Sequence, residues 1–318
     1  MSFKIIGTGS AYPEKVVTND DLATFLDTSD EWIRTRTGVS ERRVCTEENI
    51  NDLAVSSANK AISDAGLTAS DIDLVICATL GGDFITPSTA CYIEKHIGAK
   101  CPAFDVNAAC SGFIYALDIA EGYFSRNRVK NVLITVAENM SGLLNWEDRA
   151  TCVLFGDAAA SVILTKGEGL KSIYITANGN EEVLRINSIR QDTPWKKQGE
   201  KDGLFMNGQE VFKFAVSSMV RDIKRVAKEA GIKEEDIDVV LPHQANIRII
   251  DFAKEKLSIP KDRYYTNLER FGNTSAVGIP LLIDELNHNG KLKNGDIIAM
   301  SAFGGGLTSG ACIIEWSK

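Results

Sequence analysis

The sequence predicts an α/β fold built from two related halves. Three observations carry that prediction: apolar runs alternating with helical stretches, an internal match at a fixed offset, and an ordinary globular composition. VLITVA, ASVILT, DLVICAT and DVVLPH are apolar almost throughout, the pattern of strands buried on both faces and mostly parallel. Helical stretches separate them. The 318 residues are 44% hydrophobic and 25% charged, which excludes disorder and suits about two domains or halves.

Residues 3–6 open the chain as a strand, without the shape of a signal peptide. Next, Val55–Val75 (VSSANKAISDAGLTASDIDLV) matches Val220–Val240 (VRDIKRVAKEAGIKEEDIDVV) at an offset of 165. Both read as an amphipathic helix, a glycine that stops it, and an acidic turn into a strand. At the same offset 131–134 falls on 296–299. The strand 160–164 then resembles 311–315 at offset 151, and 3–6 resembles 170–173. An insertion of about 14 residues near 139–152 accounts for the change of offset. The halves are therefore 1–168 and 169–318. A site built by both is expected where strand ends and helix starts meet.

Thirty-five basic against 43 acidic residues give a net charge of -8, which argues against nucleic-acid or anionic-membrane binding. No apolar run approaches the roughly 20 residues of a membrane span. The seven cysteines include no CxxC pair, so neither a disulfide framework nor a zinc site is expected. The chain suits a reducing cytoplasm.

One cysteine stands apart. A strand at Ala103–Val106 leads through Asn107-Ala-Ala-Cys110-Ser-Gly into a helix expected over 114–124. At a helix start, dipole and free N–H groups favour a thiolate, and the small neighbours leave room for a substrate. The other six cysteines read as small buried residues. In the second half, a strand over 238–241 ends in Pro242-His243-Gln244-Ala245-Asn246 before a helix expected over 247–257. A similar loop, Phe271-Gly272-Asn273-Thr274-Ser275-Ala276, precedes a helix expected over 277–286. His243 could equally pack and Asn273 could equally cap. Phe303-Gly304-Gly305-Gly306 forms a turn whose N–H groups can face a ligand; it is neither a dinucleotide fingerprint nor a P-loop. Thiol, imidazole, carboxamide and free backbone donors together suit acyl transfer.

These motifs resemble those of β-ketoacyl-acyl carrier protein synthase III. Ala109-Cys110-Ser111-Gly112, His243 within PHQAN, Asn273 within GNTSA, and the FGGG turn carry the resemblance, with Asp30–Gly38 (DEWIRTRTG) matching that family's coenzyme A segment. It spans essentially the whole chain. It implies the thiolase-like fold, two duplicated halves in five αβαβα layers, and a homodimer. It implies an acyltransferase that loads an acyl group from acyl-coenzyme A onto Cys110 and condenses it with malonyl-acyl carrier protein. His243 and Asn273 would stabilise the enolate, and the N–H groups of Cys110 and Gly305 would form an oxyanion hole. Trp32 and Arg149 would sandwich the adenine; Thr28, Arg36 and Asn246 would line the coenzyme path. Lys213, Arg248, Lys254 and Lys256 would meet the acidic carrier protein. No cofactor is implied, coenzyme A being part of a substrate, and no metal. Acetyl-preferring members often carry Phe where this chain has Thr86, so a deeper acyl pocket and a primer range beyond acetyl are expected.

Three other readings stay open on sequence: a secondary-metabolism condensing enzyme of the same fold, a papain-type hydrolase, and a non-catalytic scaffold. The Cys110–His243 gap of 243 − 110 = 133 fits the hydrolase, but the CGxCW-type flank is missing and the duplication is unexplained by it.

Overall fold

The computed structural model describes residues 2–187, 194, 195 and 203–318. Two sheets hold the molecule. The first uses β1 (Ser2–Ala11), β2 (Leu74–Ala78), β3 (Ala103–Val106), β4 (Asn131–Glu138) and β5 (Ala158–Gly167), in the order β1-β5-β4-β2-β3. The second uses β6 (Leu170–Ala177), β7 (Val239–Pro242), β8 (Ile297–Gly304) and β9 (Thr308–Glu315), in the order β7-β8-β9-β6. The inner part of each order repeats: β2, β4, β5 and β1 correspond to β7, β8, β9 and β6.

The expectation of mostly parallel strands needs correction. Only β2–β3, β2–β4 and β7–β8 run parallel; β1–β5, β4–β5, β8–β9 and β9–β6 run antiparallel. The reason is connectivity. Residues 305–307 join β8 to β9 as a turn, and no crossover helix stands between β4 and β5; a parallel pair needs a crossover connection. The strand ends also correspond one residue beyond the sequence register. Glu138 pairs with Ala158 as Gly304 pairs with Thr308, an offset of 304 − 138 = 166.

Helices complete five layers. Of these, α1 (Asp30–Thr37) carries the Trp32 segment, while α2 (Ile50–Asp64) and α3 (Thr89–Ile97) cover the outer face of the first sheet. α4 (Gly112–Ser125) and α7 (Gly278–His288) lie between the sheets. α5 (Gly208–Ala230) and α6 (Ile247–Lys256) cover the second sheet. α4 is apolar nearly all round, so it can be buried on two sides. Its Phe113, Leu117, Ala120 and Phe124 share one apolar core with Leu281, Leu282 and Ile283 of α7 and with strands from both halves. Each Leu or Phe so buried contributes about 1.5–3 kcal/mol, so this shared layer fixes the halves on one another. The central helices then aim their N-termini at the junction. No described helix is long and apolar enough to cross a membrane.

Candidate active site

A cavity of about 610 Å³ lies at this junction, lined by Cys110, His243 and Asn273 among others. β3 ends at Val106, and Asn107 Oδ1 accepts the Ala109 N–H at 3.2 Å. That bond folds the chain back so that Ala109 takes φ +47°, in the left-handed region, where a small residue is strained least. A single 3-10 turn, Ala109–Ser111, then leads into α4. From the other half, Thr308 Oγ1 lies 3.0 Å from Ala108 O and 3.2 Å from Ser111 Oγ, bracing the turn.

The cysteine is not the ready thiolate expected of a helix start. Its residue surface is half-buried, but the sulfur lies deep among protein atoms, and that desolvation pushes the thiol up to about 12. The Ser275 hydroxyl, 3.5 Å from the sulfur, opposes the shift. Cys110 also sits on the turn before α4, so the helix dipole acts on it only obliquely.

His243 is 2% exposed. Its N–H donates to Ser301 O at 2.8 Å, and its ring meets Phe303 edge-on at 5.0 Å between centroids. Burial pulls the imidazole down to about 3, so at neutral pH it is uncharged, with one N–H donor and one acceptor nitrogen. Asn273 is held from both sides: its N–H donates to Leu154 O at 2.8 Å, and its carbonyl accepts from Gly156 N–H at 3.2 Å. Its Oδ1 accepts the Ser275 N–H at 2.9 Å. With Oδ1 so engaged, the Nδ2 donors remain for the cavity.

Gly304 lets β8 run against the nucleophile. A Cβ there would stand 2.6 Å from Cys110 N and 3.0 Å from Cys110 Cβ, closer than packing allows. The Gly305 N–H meets no acceptor among the described residues, the Cys110 N–H faces only its own sulfur, and both residues line the cavity. Two donors beside a sulfur are what a tetrahedral oxyanion needs.

The remaining predicted residues divide. Trp32, Arg36, Asn246 and Arg248 line the cavity; Thr28, Arg149 and Thr86 do not. Asn246 caps α6, accepting the Arg248 N–H at 2.9 Å, while its Nδ2 donates to Arg36 O at 3.1 Å. Arg36 and Arg149 stand 4.7 and 5.3 Å from the Trp32 ring. A base stacked between Trp32 and Arg149 needs roughly 7 Å, two contact distances of about 3.5 Å. The sandwich is therefore closed as the side chains stand, with Arg149 drawn onto Asp27. Thr28 is partly buried, and its hydroxyl has no partner. Thr86 sits on an exposed loop beside Ile85, which is 97% exposed; it does not reach its own chain's cavity. Of the basic candidates, Lys213 pairs with Glu210 at 2.7 Å and Lys254 with Asp251 at 3.2 Å. Arg248 lies over the Phe212 ring and Lys256 over Phe252, neither with a carboxylate among the described residues.

Sequence reasoning missed three things. Ser275 and the buried Glu138 lie behind Cys110; Glu138 ends an apolar strand, and a lone acid there was the available signal. The apolar wall of the cavity includes Leu184, which pairs with Met206, and Ile186, which pairs with Leu204, from strands too short to show periodicity.

Two duplicated halves in five layers, with a thiol, a neutral imidazole and a carboxamide around one cavity, define an acyl-condensing enzyme of the thiolase-fold class. The comparisons agree. Residues 104–179 match the family described as 3-oxoacyl-[acyl-carrier-protein (ACP)] synthase III, and residues 227–316 match its C-terminal region. The chain is 46% identical to a β-ketoacyl-[acyl-carrier-protein] synthase III of Aquifex aeolicus, covering 99% of this chain and 100% of that one. It is 46% identical to one of Clostridium acetobutylicum, over 100% and 99%. The chain belongs to this synthase III family. The Aquifex aeolicus crystal structure superposes with a TM-score of 0.93 at 45% identity, covering 99% and 100% of the two chains. The priming β-ketosynthase of the R1128 polyketide pathway also gives 0.93, at 30% identity over 100% and 97%. The lower identity to that priming enzyme leaves the secondary-metabolism alternative unfavoured.

Proposed function

We propose that this chain catalyses the initiating condensation of type II fatty-acid synthesis: acyl-coenzyme A and malonyl-acyl carrier protein give 3-oxoacyl-acyl carrier protein, CO2 and coenzyme A. One observation carries the reading. Cys110, a His243 kept neutral by burial, and an Asn273 with free amide donors line a single cavity.

In the first half-reaction the Cys110 sulfur attacks the thioester carbonyl. The oxyanion takes the N–H groups of Cys110 and Gly305, and coenzyme A leaves as the thiol with the proton Cys110 lost. Malonyl-acyl carrier protein then sets its thioester oxygen against the imidazole N–H of His243 and Nδ2 of Asn273. When CO2 leaves, its bonding electrons form an enolate that both donors stabilise. A neutral imidazole can donate there from whichever nitrogen carries its proton. The enolate carbon attacks the acyl carbonyl, the carbon–sulfur bond breaks, and the released sulfur regains a proton from solvent. Splitting transfer into two steps through a covalent acyl-cysteine lowers each barrier.

The substrate path is part of the same reading. Trp32, Arg36 and Asn246 hold coenzyme A, with adenine entering beside Trp32 once Arg149 leaves Asp27; Thr28 flanks the path. Arg248 and Lys256 take the acidic carrier protein, with Lys213 and Lys254 joining by exchanging their own carboxylates. A homodimer forms through the open edge of β3. Thr86 then acts on the partner's acyl pocket, and primers longer than acetyl are accepted. No cofactor takes part, and the site of action is the cytoplasm.

A primer panel of acetyl-, isobutyryl- and octanoyl-coenzyme A with malonyl-acyl carrier protein, read by product mass, tests this. Products from more than acetyl are expected, with an acyl adduct on Cys110. Acetyl-only turnover removes the wide pocket; no product and no adduct remove the condensation.

A further inference from the structure

Glu138 ends β4, is 1% exposed, and contacts none of the atoms that react in the proposed condensation except through Ser275. Its Oε2 accepts the Leu80 N–H at 3.1 Å. Its Oε1 lies 3.2 Å from Ser275 Oγ, and the same Oγ lies 3.5 Å from Cys110 Sγ. A serine hydroxyl has one hydrogen to give. Beside a carboxylate that hydrogen turns to the carboxylate, and the sulfur faces only lone pairs with a negative charge behind them. Beside a carboxylic acid the order reverses: the acid donates to Ser275 Oγ, and the serine hydrogen is free for the sulfur.

We propose that Glu138 is a positioning residue that works in its protonated form, donating to Ser275 and so turning the Ser275 hydroxyl to donate to the Cys110 thiolate.

The surroundings support this. Burial pushes the Glu138 carboxyl up to about 8, and the charge of Asp157 adds to the shift, against the bonds from Leu80 and Ser275. Burial raises the Asp157 carboxyl as well, and the donors it receives from Cys45 N–H, Ser141 N–H and Ser141 Oγ–H oppose that rise and favour its charged form. The other ionisable groups facing Glu138 are Cys77 on β2 and Cys110 itself. Burial raises both thiols, and a charge on Glu138 raises them further. A carboxylate at 138 and a thiolate at 110 therefore oppose each other. Protonation removes that conflict and supplies a donor in one step. Hydrogen bonds to a charged group count for more than neutral ones, so the direction of one hydroxyl matters here.

The inference rests on Cys110 being the nucleophile, so the test uses alkylation by iodoacetamide, which needs neither acyl donor nor carrier protein. The rate at Cys110 is followed by peptide mass across pH. In the wild type it climbs with pH and flattens above about pH 8, as Glu138 ionises. Glu138→Gln keeps a donor for Ser275 and an acceptor for Leu80 but cannot ionise. Its rate stays within a few-fold of wild type at pH 7 and climbs without flattening. Glu138→Ala reacts roughly tenfold or more slowly at pH 7. Ser275→Ala gives the same fall while leaving the buried acid in place, and decides the matter should the Glu138 variants fail to fold. Flattening that persists in Glu138→Gln overturns the proposal. So does a Glu138→Gln as slow as Glu138→Ala, which would make the carboxylate a base, or a Ser275→Ala at the wild-type rate. Alkylation that behaves as described in a protein forming no acyl-cysteine would remove the condensation and leave this relay standing.

Discussion

The loops 107–112 and 273–278 are the same device used twice. In each, an asparagine Oδ1 accepts the N–H two residues on: Asn107 from Ala109 at 3.2 Å, Asn273 from Ser275 at 2.9 Å. Each then has one residue at positive φ, Ala109 at +47° and Ser275 at +55°. Each continues as a 3-10 turn into a central helix that begins with glycine, Gly112 or Gly278. Only the groups presented differ. The position that holds Cys110 in the first loop holds Ala276 in the second, and the position of Ala109 holds Ser275, so the second loop offers a hydroxyl where the first offers a thiol one residue on. A symmetric frame thus carries an asymmetric reaction, and the asymmetry rests on a few side chains.

The largest break in that comparison is Cys110→Ala, which makes the first loop resemble the second. Acyl transfer should fall by about 10⁴-fold or more, with no adduct by mass spectrometry and an unchanged circular-dichroism spectrum. Next comes Asn273→Ala. Removing one oxyanion donor should cut condensation by roughly 10²–10³-fold, while acyl-Cys110 still accumulates. Asn107→Ala removes the equivalent brace from the loop that carries Cys110. It should cost about 1 kcal/mol of stability, read as a small fall in Tm, and turnover only a few-fold. Equal losses from the two variants would mean that Asn273 acts as a brace alone.

His243 offers a pH test. Its folded pKa is lowered to about 3 from an ordinary 6.5. Between those values the unfolded chain binds a proton that the folded chain refuses, so stability is full above pH 6.5 and declines as pH falls toward 3. His243→Gln removes that titration, and the variant's acid-unfolding midpoint should move to lower pH. The smallest effect belongs to the surface. Arg248→Ala should raise KM for the carrier protein a few-fold, more at low salt. Lys213→Ala should do less, because Lys213 is already paired with Glu210.

Much of this was legible in the sequence because duplication leaves local marks. The helix–glycine–strand unit at 55–75 and 220–240 is spelled out twice, and Cys110, His243 and Asn273 sit in short motifs at strand ends. The equivalence of Asn107 and Asn273 was not legible, because the loops share only their asparagine and a glycine five residues on. Nor was the upward push that burial gives the thiol: burial depends on what the other half places over Cys110, and no local pattern reports that. Two members of the basic patch, Lys213 and Lys254, have carboxylates one turn away, Glu210 and Asp251, pairings that the basic residues alone do not show. Glu138 showed only as a lone acid ending an apolar strand, because its partner, Ser275, lies 137 residues along the chain.

The strand ends cross over. β4 of the first half finishes with Glu138 against Ser275 of the second half's loop, and β8 of the second finishes with Gly304 against Cys110 of the first. Each repeat is thus the backstop of its sibling's reactive corner. Cut between Gly167 and Leu170, the chain would yield two fragments with recognisable ancestry and no working centre in either, since what was copied during evolution became, chemically, indivisible.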